Sequence, residues 1–131
     1  MKEIYEKLRI YTIIFIFGAA SYCILELFYK GSSHWSMAIC GGICFSFIYF
    51  MSNILRGAGI LKIALISTLF ITICELIFGF IFNILLGYNI WDYANERLNF
   101  LGQICIKFST LWFILSIPSI YLSRIFKKCL E

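Results

Sequence analysis

The residue best suited to chemistry in this sequence is Glu75, which lies near the middle of the apolar stretch Leu61–Leu86. A charge at the centre of a bilayer costs at least ~2.5 kcal/mol, so such a residue normally faces a protein interior or a cavity. At helical spacing, Gly79 and Asn83 follow Glu75 on the same face. This face predicts a binding site for a cation or a small polar substrate. The alternative is an interhelical hydrogen-bond clamp.

The composition indicates what kind of scaffold holds this carboxylate. Hydrophobic residues make up 62% of the chain and charged residues only 14%, whereas soluble domains average roughly 45–50% and about 25%. A soluble enzyme, a nucleic-acid-binding module and a disordered tail are therefore excluded. The net charge of +4 comes from cations that flank apolar segments, and no basic face is present for a nucleic-acid partner.

Four predicted transmembrane helices position Glu75. They run about Leu8–Tyr29, Trp35–Leu55, Leu61–Leu86 and Gln103–Ser123, lengths that fit membrane-spanning helices rather than barrel strands. The predicted fold class is all-α: a polytopic membrane protein whose four-transmembrane-helix bundle forms one domain over residues 1–131. The loop Gly87–Gly102 combines aromatic and amide side chains, which predicts a structured outer loop between helices 3 and 4.

The distribution of positive charge predicts the orientation in the bilayer. Of the 11 lysines and arginines, all but Lys30, Arg97 and Lys107 lie in the N-terminal tail, the loop after the second helix or the C-terminal tail. The positive-inside rule assigns those regions to the cytoplasmic side. We therefore expect a multi-pass protein of the cell membrane with both termini in the cytoplasm and a lipid bilayer around the helices.

With this topology, a group of polar and aromatic residues lies at the outer side, beyond Glu75. We interpret the group as a polar pocket that opens outward and is roofed by residues 91–99. Alternatively, Glu26 reaches water or pairs with Lys30 at i+4. The alternative for the loop residue His34 is a solvated or hydrogen-bonded side chain without a role in binding. The predicted substrate-binding residues are Glu75, Asn83, Glu26, His34, Trp91, Asp92, Asn99 and Gln103.

Motifs for other chemistry are missing from the sequence. There is no G-x-S-x-G, no H-E-x-x-H and no glycine-rich nucleotide loop. With one histidine and six dispersed cysteines that lack C-x-x-C spacing, we predict no metal site, no cofactor and no disulfide framework. Catalysis is therefore less favoured than binding.

Several motifs together carry a family resemblance over nearly the whole chain. The motifs are Lys30-Gly31-x-x-His34-Trp35-Ser36-Met37 followed by Gly41-Gly42, Glu75-Leu-Ile-Phe-Gly79-x-x-x-Asn83, Asn89-x-Trp91-Asp92-Tyr93, Asn99-x-x-Gly102-Gln103-Ile104-Cys105 and Phe108-Ser109-x-x-Trp112. In these motifs the sequence resembles the CmpB-type family of ABC-transporter permeases. The resemblance implies an integral protein of four or more spans with a role in transport.

Three functions remain open at this point. The first is a small transport protein or transporter subunit, working as a homo-oligomer, that binds a cation or small polar substrate at Glu75. The second is a non-catalytic assembly or sensing protein that docks through the loop after the third helix. The third is a membrane-embedded lipid-modifying enzyme with His34, Glu26 or Asp92 as general acid or base.

Overall fold

Four long helices and one irregular connecting segment make up the protein. The computed structural model describes residues 1–131, with helices α1 (Lys2–Lys30), α2 (Trp35–Ile54), α3 (Ile60–Phe78) and α4 (Ile106–Leu130). A π-helical segment, Gly79–Leu85, continues α3. All four helices, with α3 counted through this segment, are long and apolar enough to cross a membrane. The predicted all-α class with four transmembrane helices is confirmed.

Two helices, α1 and α4, differ from the predicted spans by several residues at their ends. Helix α1 begins at Lys2, before the predicted start, because charged residues end an apolar span without ending a helix. Helix α4 begins at Ile106 rather than at Gln103 and continues to Leu130. Gln103 lies outside α4 because its backbone oxygen accepts the indole N–H of Trp91 at 2.9 Å, which holds this part of the chain in the preceding loop.

Glycines allow α1 and α2 to pack closely. A Cβ atom at Gly18 would lie 2.6 Å from the Cβ of Phe45 and 2.8 Å from the backbone oxygen of Gly41. A Cβ atom at Gly41 would lie 2.6 Å from the Cβ of Tyr22. Small residues let two helix backbones approach in this way in membrane proteins, so α1 is fixed to α2 along this contact.

The turn between α1 and α2 is short and capped at both ends. Gly31 ends α1 in a left-handed conformation with a φ of 79°, which glycine adopts without steric cost. His34 then serves as the N-cap of α2, because its Nδ1 accepts the backbone N–H of Ser36 at 3.2 Å. The two helices therefore run antiparallel and side by side.

Helix α2 is central, since it packs against α1, α3 and α4, while α3 and α4 also pack together. Helix α1 meets α4 near the two chain termini. There the guanidinium of Arg9 donates to the backbone oxygen of Leu130 at 3.2 Å, and the ring centroids of Phe17 and Phe126 are 4.7 Å apart. Toward the other end of the bundle, cavities lie between the two helices, and the rings of Tyr29 and Phe108 meet there with centroids 6.1 Å apart.

Helix α3 has one buried face and one exposed apolar face. Glu75 belongs to the buried face, together with Ala64 and Cys74. The exposed face is apolar throughout, which suits contact with lipid chains. Each of its large side chains is at least half exposed: Leu61, Leu65, Leu69, Ile73 and Ile77.

Residues 86–105, which we call the cap, join the π-helical segment to α4. The cap contains no regular helix or strand, yet it is ordered by internal hydrogen bonds. The backbone N–H of Tyr93 donates to the oxygen of Gly102 at 2.7 Å. The Asn99 side chain donates to the oxygen of Glu96 at 2.9 Å and accepts the N–H of Gly102 at 3.1 Å. The predicted structured loop between helices 3 and 4 is therefore present.

Candidate functional site

Glu75 is the buried carboxylate of α3, with 4% of its surface exposed. Its Oε2 accepts a hydrogen bond from the hydroxyl of Tyr93 at 3.0 Å. Its Oε1 accepts one from the indole Nε1–H of Trp112, in α4, at 3.4 Å. Both donors are neutral, and the ion pairs of the protein do not include Glu75. The protein thus satisfies the carboxylate by hydrogen bonding without placing a cation on it.

Tyr93 comes from the cap and reaches down into the bundle. Its ring stacks on that of Phe108 with centroids 4.6 Å apart and planes 7° apart. Burial of the phenol, reinforced by the nearby Glu75 carboxylate, raises the pKa of Tyr93 above its ordinary value. The hydroxyl therefore keeps its proton and acts as a donor to Glu75.

A set of buried hydrogen bonds holds the cap against the π-helical segment. The Asn83 side chain donates to Oε1 of Gln103 at 2.8 Å and accepts the backbone N–H of Ile90 at 2.7 Å. The cap also approaches Gly79 so closely that a Cβ there would contact the Gln103 side chain and lie 3.0 Å from the ring of Trp91. The cap therefore packs directly against the backbone at Gly79.

A groove between α1 and α4 leads to Glu75. It consists of two cavities of about 260 and 450 Å³, and Glu75, Tyr22 and Trp112 line both. Its rims are open, because Leu25 is 51% and Leu111 39% exposed. In a bilayer this opening faces sideways, toward lipid. Its walls are Phe17, Tyr22, Leu25, Glu26 and Tyr29 from α1, and Phe108, Leu111, Trp112, Leu115, Ser119 and Leu122 from α4.

The larger cavity, beside the cap, is rich in carboxylates. Glu26, Asp92 and Glu96 line it together with Glu75, and Lys30 is its one cationic side chain. The ammonium of Lys30 lies 3.4 Å from the carboxylate of Glu26, the pairing at i+4 that the sequence allows. Acidic side chains therefore outnumber basic ones around this cavity.

The smaller cavity extends from Glu75 toward the chain termini and is mainly apolar. Its lining includes Phe45 and Ile48 from α2 and Pro118 and Leu122 from α4. The contact between α1 and α4 at Phe17 and Phe126 closes it at the far end. The groove thus changes from charged to apolar along its length, with Glu75 at the junction.

The structure places four of the predicted site residues along this groove. Glu75, Glu26, Trp91 and Asp92 all line the larger cavity. Trp91 is 7% exposed, and its ring also packs against the buried cluster that contains Met37 and Cys74. The sequence predicts a polar pocket that opens outward beneath residues 91–99. A cavity lies beside the cap, but it opens sideways between α1 and α4.

The other four predicted site residues do not line the groove. Asn83 and Gln103 bond to each other beneath the cap, and Asn99 bonds to backbone atoms within the cap. The His34 ring bonds to Ser36 at the start of α2. The polar groups of these side chains hold loops and helix ends in place.

The three residues considered as a general acid or base do not bond to one another. The Glu26 carboxylate accepts from Ser33 at 2.8 Å, and Oδ1 of Asp92 accepts the backbone N–H of Ala94 at 2.9 Å. The His34 ring is directed at α2. This arrangement provides no paired acid and base, as a lipid-modifying enzyme would need.

Sequence reasoning missed several residues of the groove. Tyr93 and Trp112 belong to motifs of the family resemblance, but they were not selected as site residues. A signal was present in the spacing, because the groove-facing residues recur at helical intervals. On α1 they are Tyr22, Leu25, Glu26 and Tyr29, and on α4 they are Phe108, Leu111, Trp112 and Leu115.

Comparison with known proteins identifies one family. The family model described as "Putative ABC-transporter type IV" matches residues 10–130, nearly the whole chain. No curated protein and no solved structure matches the chain.

Proposed function

Because the chain belongs to the family described as "Putative ABC-transporter type IV", we propose that it is a small membrane transport protein or transporter subunit. Its substrate is a cation or small polar molecule that binds at the Glu75 carboxylate. The family membership confirms the resemblance in the sequence motifs and supports transport as the general role. The substrate and the role of Glu75 are the proposed part.

One observation carries the proposal: Glu75 is buried, lines both cavities of an open groove, and receives hydrogen bonds from neutral donors only. A carboxylate inside the membrane is expensive and normally has a functional partner. Tyr93 and Trp112 contribute no positive charge, so the ionised Glu75 carboxylate has no counter-ion within the protein. A cationic substrate would provide that positive charge. The groove provides the space for it.

The remaining residues of the predicted site have two proposed roles. Glu26, Trp91 and Asp92 line the larger cavity and form the approach to Glu75. Further from the groove, four residues act by positioning the chain. Asn83, Asn99 and Gln103 hold the cap, and His34 holds the start of α2.

The groove favours this proposal over the alternative of a purely structural assembly protein. If Glu75 and Asn83 served only to hold the helices together, the space around them would be filled with side chains and would contain no cavity. Here Glu75 instead borders cavities of about 260 and 450 Å³, and the larger one lies within the range of roughly 300–1,000 Å³ of small-molecule sites. This observation favours transport over assembly.

The substitution Glu75→Gln tests the proposal directly. We expect the affinity for cations to fall at least about tenfold, because hydrogen bonds and contacts to a charged group contribute roughly 1.5–3 kcal/mol. In the native protein, binding should weaken as the pH falls, because protons compete with the cation for the carboxylate. This dependence should largely disappear in the variant. Binding of sodium and tetramethylammonium is measured through the thermal stabilisation that a ligand produces.

The control is Glu3→Gln, which removes the same charge from the exposed start of α1, far along the chain from the groove. It should leave cation binding and its pH dependence unchanged. If Glu75→Gln binds every tested cation as tightly as the native protein at all pH values, the proposed role of Glu75 is wrong.

We also propose that the chain lies in the cell membrane with both termini in the cytoplasm, as the distribution of lysine and arginine predicts. Cys129 is exposed near the C-terminus and provides a natural probe. A membrane-impermeant maleimide should label Cys129 in inverted vesicles and not in intact cells, with Cys129→Ser as the blank. Labelling in intact cells would reverse the proposed orientation.

A homo-oligomer is the proposed working state. Four helices enclose little space, and the groove is open on its side, so a complete pathway across the membrane needs more than one copy. Native mass spectrometry of the protein released from detergent should give a multiple of the 15.2 kDa chain mass. A mass of one chain at every detergent concentration would contradict this state.

A further inference from the structure

From the two halves of the groove, we infer that the substrate is an amphipathic cation: a molecule with an amine or quaternary ammonium head and an apolar chain. This inference rests on the proposed function, because it keeps the binding site at Glu75. It adds the chemical class of the ligand and its placement: the cationic head occupies the larger cavity, and the apolar chain occupies the smaller one.

The charge of the larger cavity selects a cationic head. Carboxylates of Glu26, Glu75, Asp92 and Glu96 border it. Lys30 pairs with Glu26 at 3.4 Å and Lys107 with Glu96 at 3.9 Å, so Glu75 and Asp92 are the two carboxylates without a paired ammonium. An anionic head would meet this excess of negative charge. A cationic head is attracted by it, and Glu75 is the buried carboxylate of this cavity that has no ammonium partner.

The aromatic side chains around Glu75 favour an organic cation over a metal ion. Tyr22, Tyr93 and Trp112 surround the carboxylate on three elements, and the Tyr22 and Trp112 ring centroids lie 5.9 Å apart. Aromatic faces attract ammonium groups, and such surroundings are typical of sites for quaternary ammonium ligands. A metal ion would instead need several oxygen ligands around one point.

The smaller cavity fits the apolar chain. It continues from Glu75 past Ile48 and Leu122 to Phe17 and is mainly apolar. From Tyr29 at one end of the groove to Phe17 at the other, α1 advances about 18 Å at 1.5 Å per residue. A chain that leaves the head at Glu75 can therefore lie along α1 for part of this length.

The sideways opening provides the route from the bilayer. The rims at Leu25 and Leu111 are 51% and 39% exposed, and a transmembrane groove opens there toward lipid. An amphipathic molecule concentrates in the membrane and reaches this opening by diffusion within the bilayer. Such a route explains how a substrate reaches a carboxylate that is only 4% exposed.

The experiment compares three probes on protein in phosphatidylcholine nanodiscs, with empty nanodiscs subtracted. Radiolabelled dodecyltrimethylammonium has both the head and the chain, tetramethylammonium has only the head, and dodecanoate has the chain with a negative charge. Two variants divide the site. Glu75→Gln removes the partner of the head, and Leu122→Trp fills the apolar cavity. Glu3→Gln and Leu69→Trp, at exposed positions outside the groove, are the matched controls.

We expect saturable binding of dodecyltrimethylammonium that weakens at least about tenfold in Glu75→Gln. Leu122→Trp should weaken it by a similar factor and leave tetramethylammonium binding unchanged, because the short cation does not enter the apolar cavity. Dodecanoate should show no saturable binding to the native protein, because the carboxylates around the larger cavity repel its negative head. The two control variants should bind all three probes as the native protein does.

Other results would overturn the inference in distinguishable ways. If tetramethylammonium binding depends on Glu75 while Leu122→Trp leaves the dodecyl compound unaffected, the site takes a small cation and only the inference fails. Equal, saturable competition by dodecanoate would make the groove a general lipid site. If Leu122→Trp changes the oligomeric mass and not cation binding, a second copy fills the groove. If no cation distinguishes native protein from Glu75→Gln, the proposed function fails as well.

Discussion

Replacing Gly79 with valine is expected to release the cap from the bundle while leaving the helices formed. A Cβ at Gly79 would contact the Gln103 side chain and lie 3.0 Å from both Cβ of Gln103 and the ring of Trp91. Such overpacking typically costs 1–3 kcal/mol. Valine has a higher helix propensity than glycine, so the substitution should not destabilise the helical segment that contains position 79. The destabilised contact is the one between this position and the cap.

Release of the cap should weaken substrate binding as well. The cap carries Tyr93, whose hydroxyl donates to Glu75 at 3.0 Å. It also carries Trp91 and Asp92, which line the larger cavity. With the cap displaced, the carboxylate loses a donor and the cavity loses one wall. A change at a glycine that touches no substrate therefore reaches the site through the position of the cap.

Hydrogen–deuterium exchange measures the effect on the cap directly. The amides of Ile90 and Tyr93, which are bonded to Asn83 and Gly102, should exchange at least about tenfold faster in Gly79→Val, since 1.4 kcal/mol of opening free energy is a factor of ten. The control is Gly57→Val, because a Cβ at Gly57 meets nothing within 4 Å. Unchanged exchange in the cap would contradict the proposed role of Gly79.

The sequence predicted the features of this protein that depend on local pattern. Apolar stretches of sufficient length predict the four helices, because the bilayer sets the length of a spanning helix. The intervals between Glu75, Gly79 and Asn83 placed them on one face, and all three are buried. These features follow from composition and from the helical repeat, so no knowledge of the other helices was needed.

Contacts between distant segments were not predictable in the same way. Tyr93 reaches Glu75 because the cap folds back over the π-helical segment, and nothing in the spacing of the two residues indicates this. Gly18 and Gly41 hold α1 against α2, and the groove lies where side chains such as Tyr22 and Trp112 join α1 to α4. Packing of this kind depends on the shapes of several helices together. It produces no periodic pattern of residues that could be recognised in a single sequence.

The same limit applies to the roles of individual polar residues. Asn83 and His34 are polar groups at the expected end of the bundle, and the sequence alone could not separate binding from positioning. The structure shows where their hydrogen bonds go. His34 caps α2, and Asn83 bonds to the cap. The position of a buried polar side chain can therefore be predicted from the sequence. Whether it binds a ligand or holds the chain in place depends on its hydrogen-bond partners, which only the structure shows.

Replacing Asn83 with alanine is expected to loosen the cap at least as much as the change at Gly79, but through lost hydrogen bonds. The substitution leaves Oε1 of Gln103 and the N–H of Ile90 without the partners they have at 2.8 and 2.7 Å. A buried polar group without a partner costs roughly 1–3 kcal/mol. With two groups unpaired, the free energy for opening the cap should fall by about 2–6 kcal/mol, with faster exchange at Ile90 and Tyr93.

A double-mutant cycle separates this mechanism from a general loss of packing. Gln103→Ala alone should also loosen the cap, but the pair Asn83→Ala with Gln103→Ala should cost less than the two single changes added together, because the second removes the acceptor that the first leaves unpaired. Directly bonded pairs of this kind show coupling of 0.5–3 kcal/mol. Asn95→Ala, at an exposed position in the same cap, is the control and should have little effect. If the costs of the two single changes simply add, the hydrogen bond between Asn83 and Gln103 does not hold the cap in place. The proposal that this bond keeps Tyr93 on Glu75 would then be wrong as well.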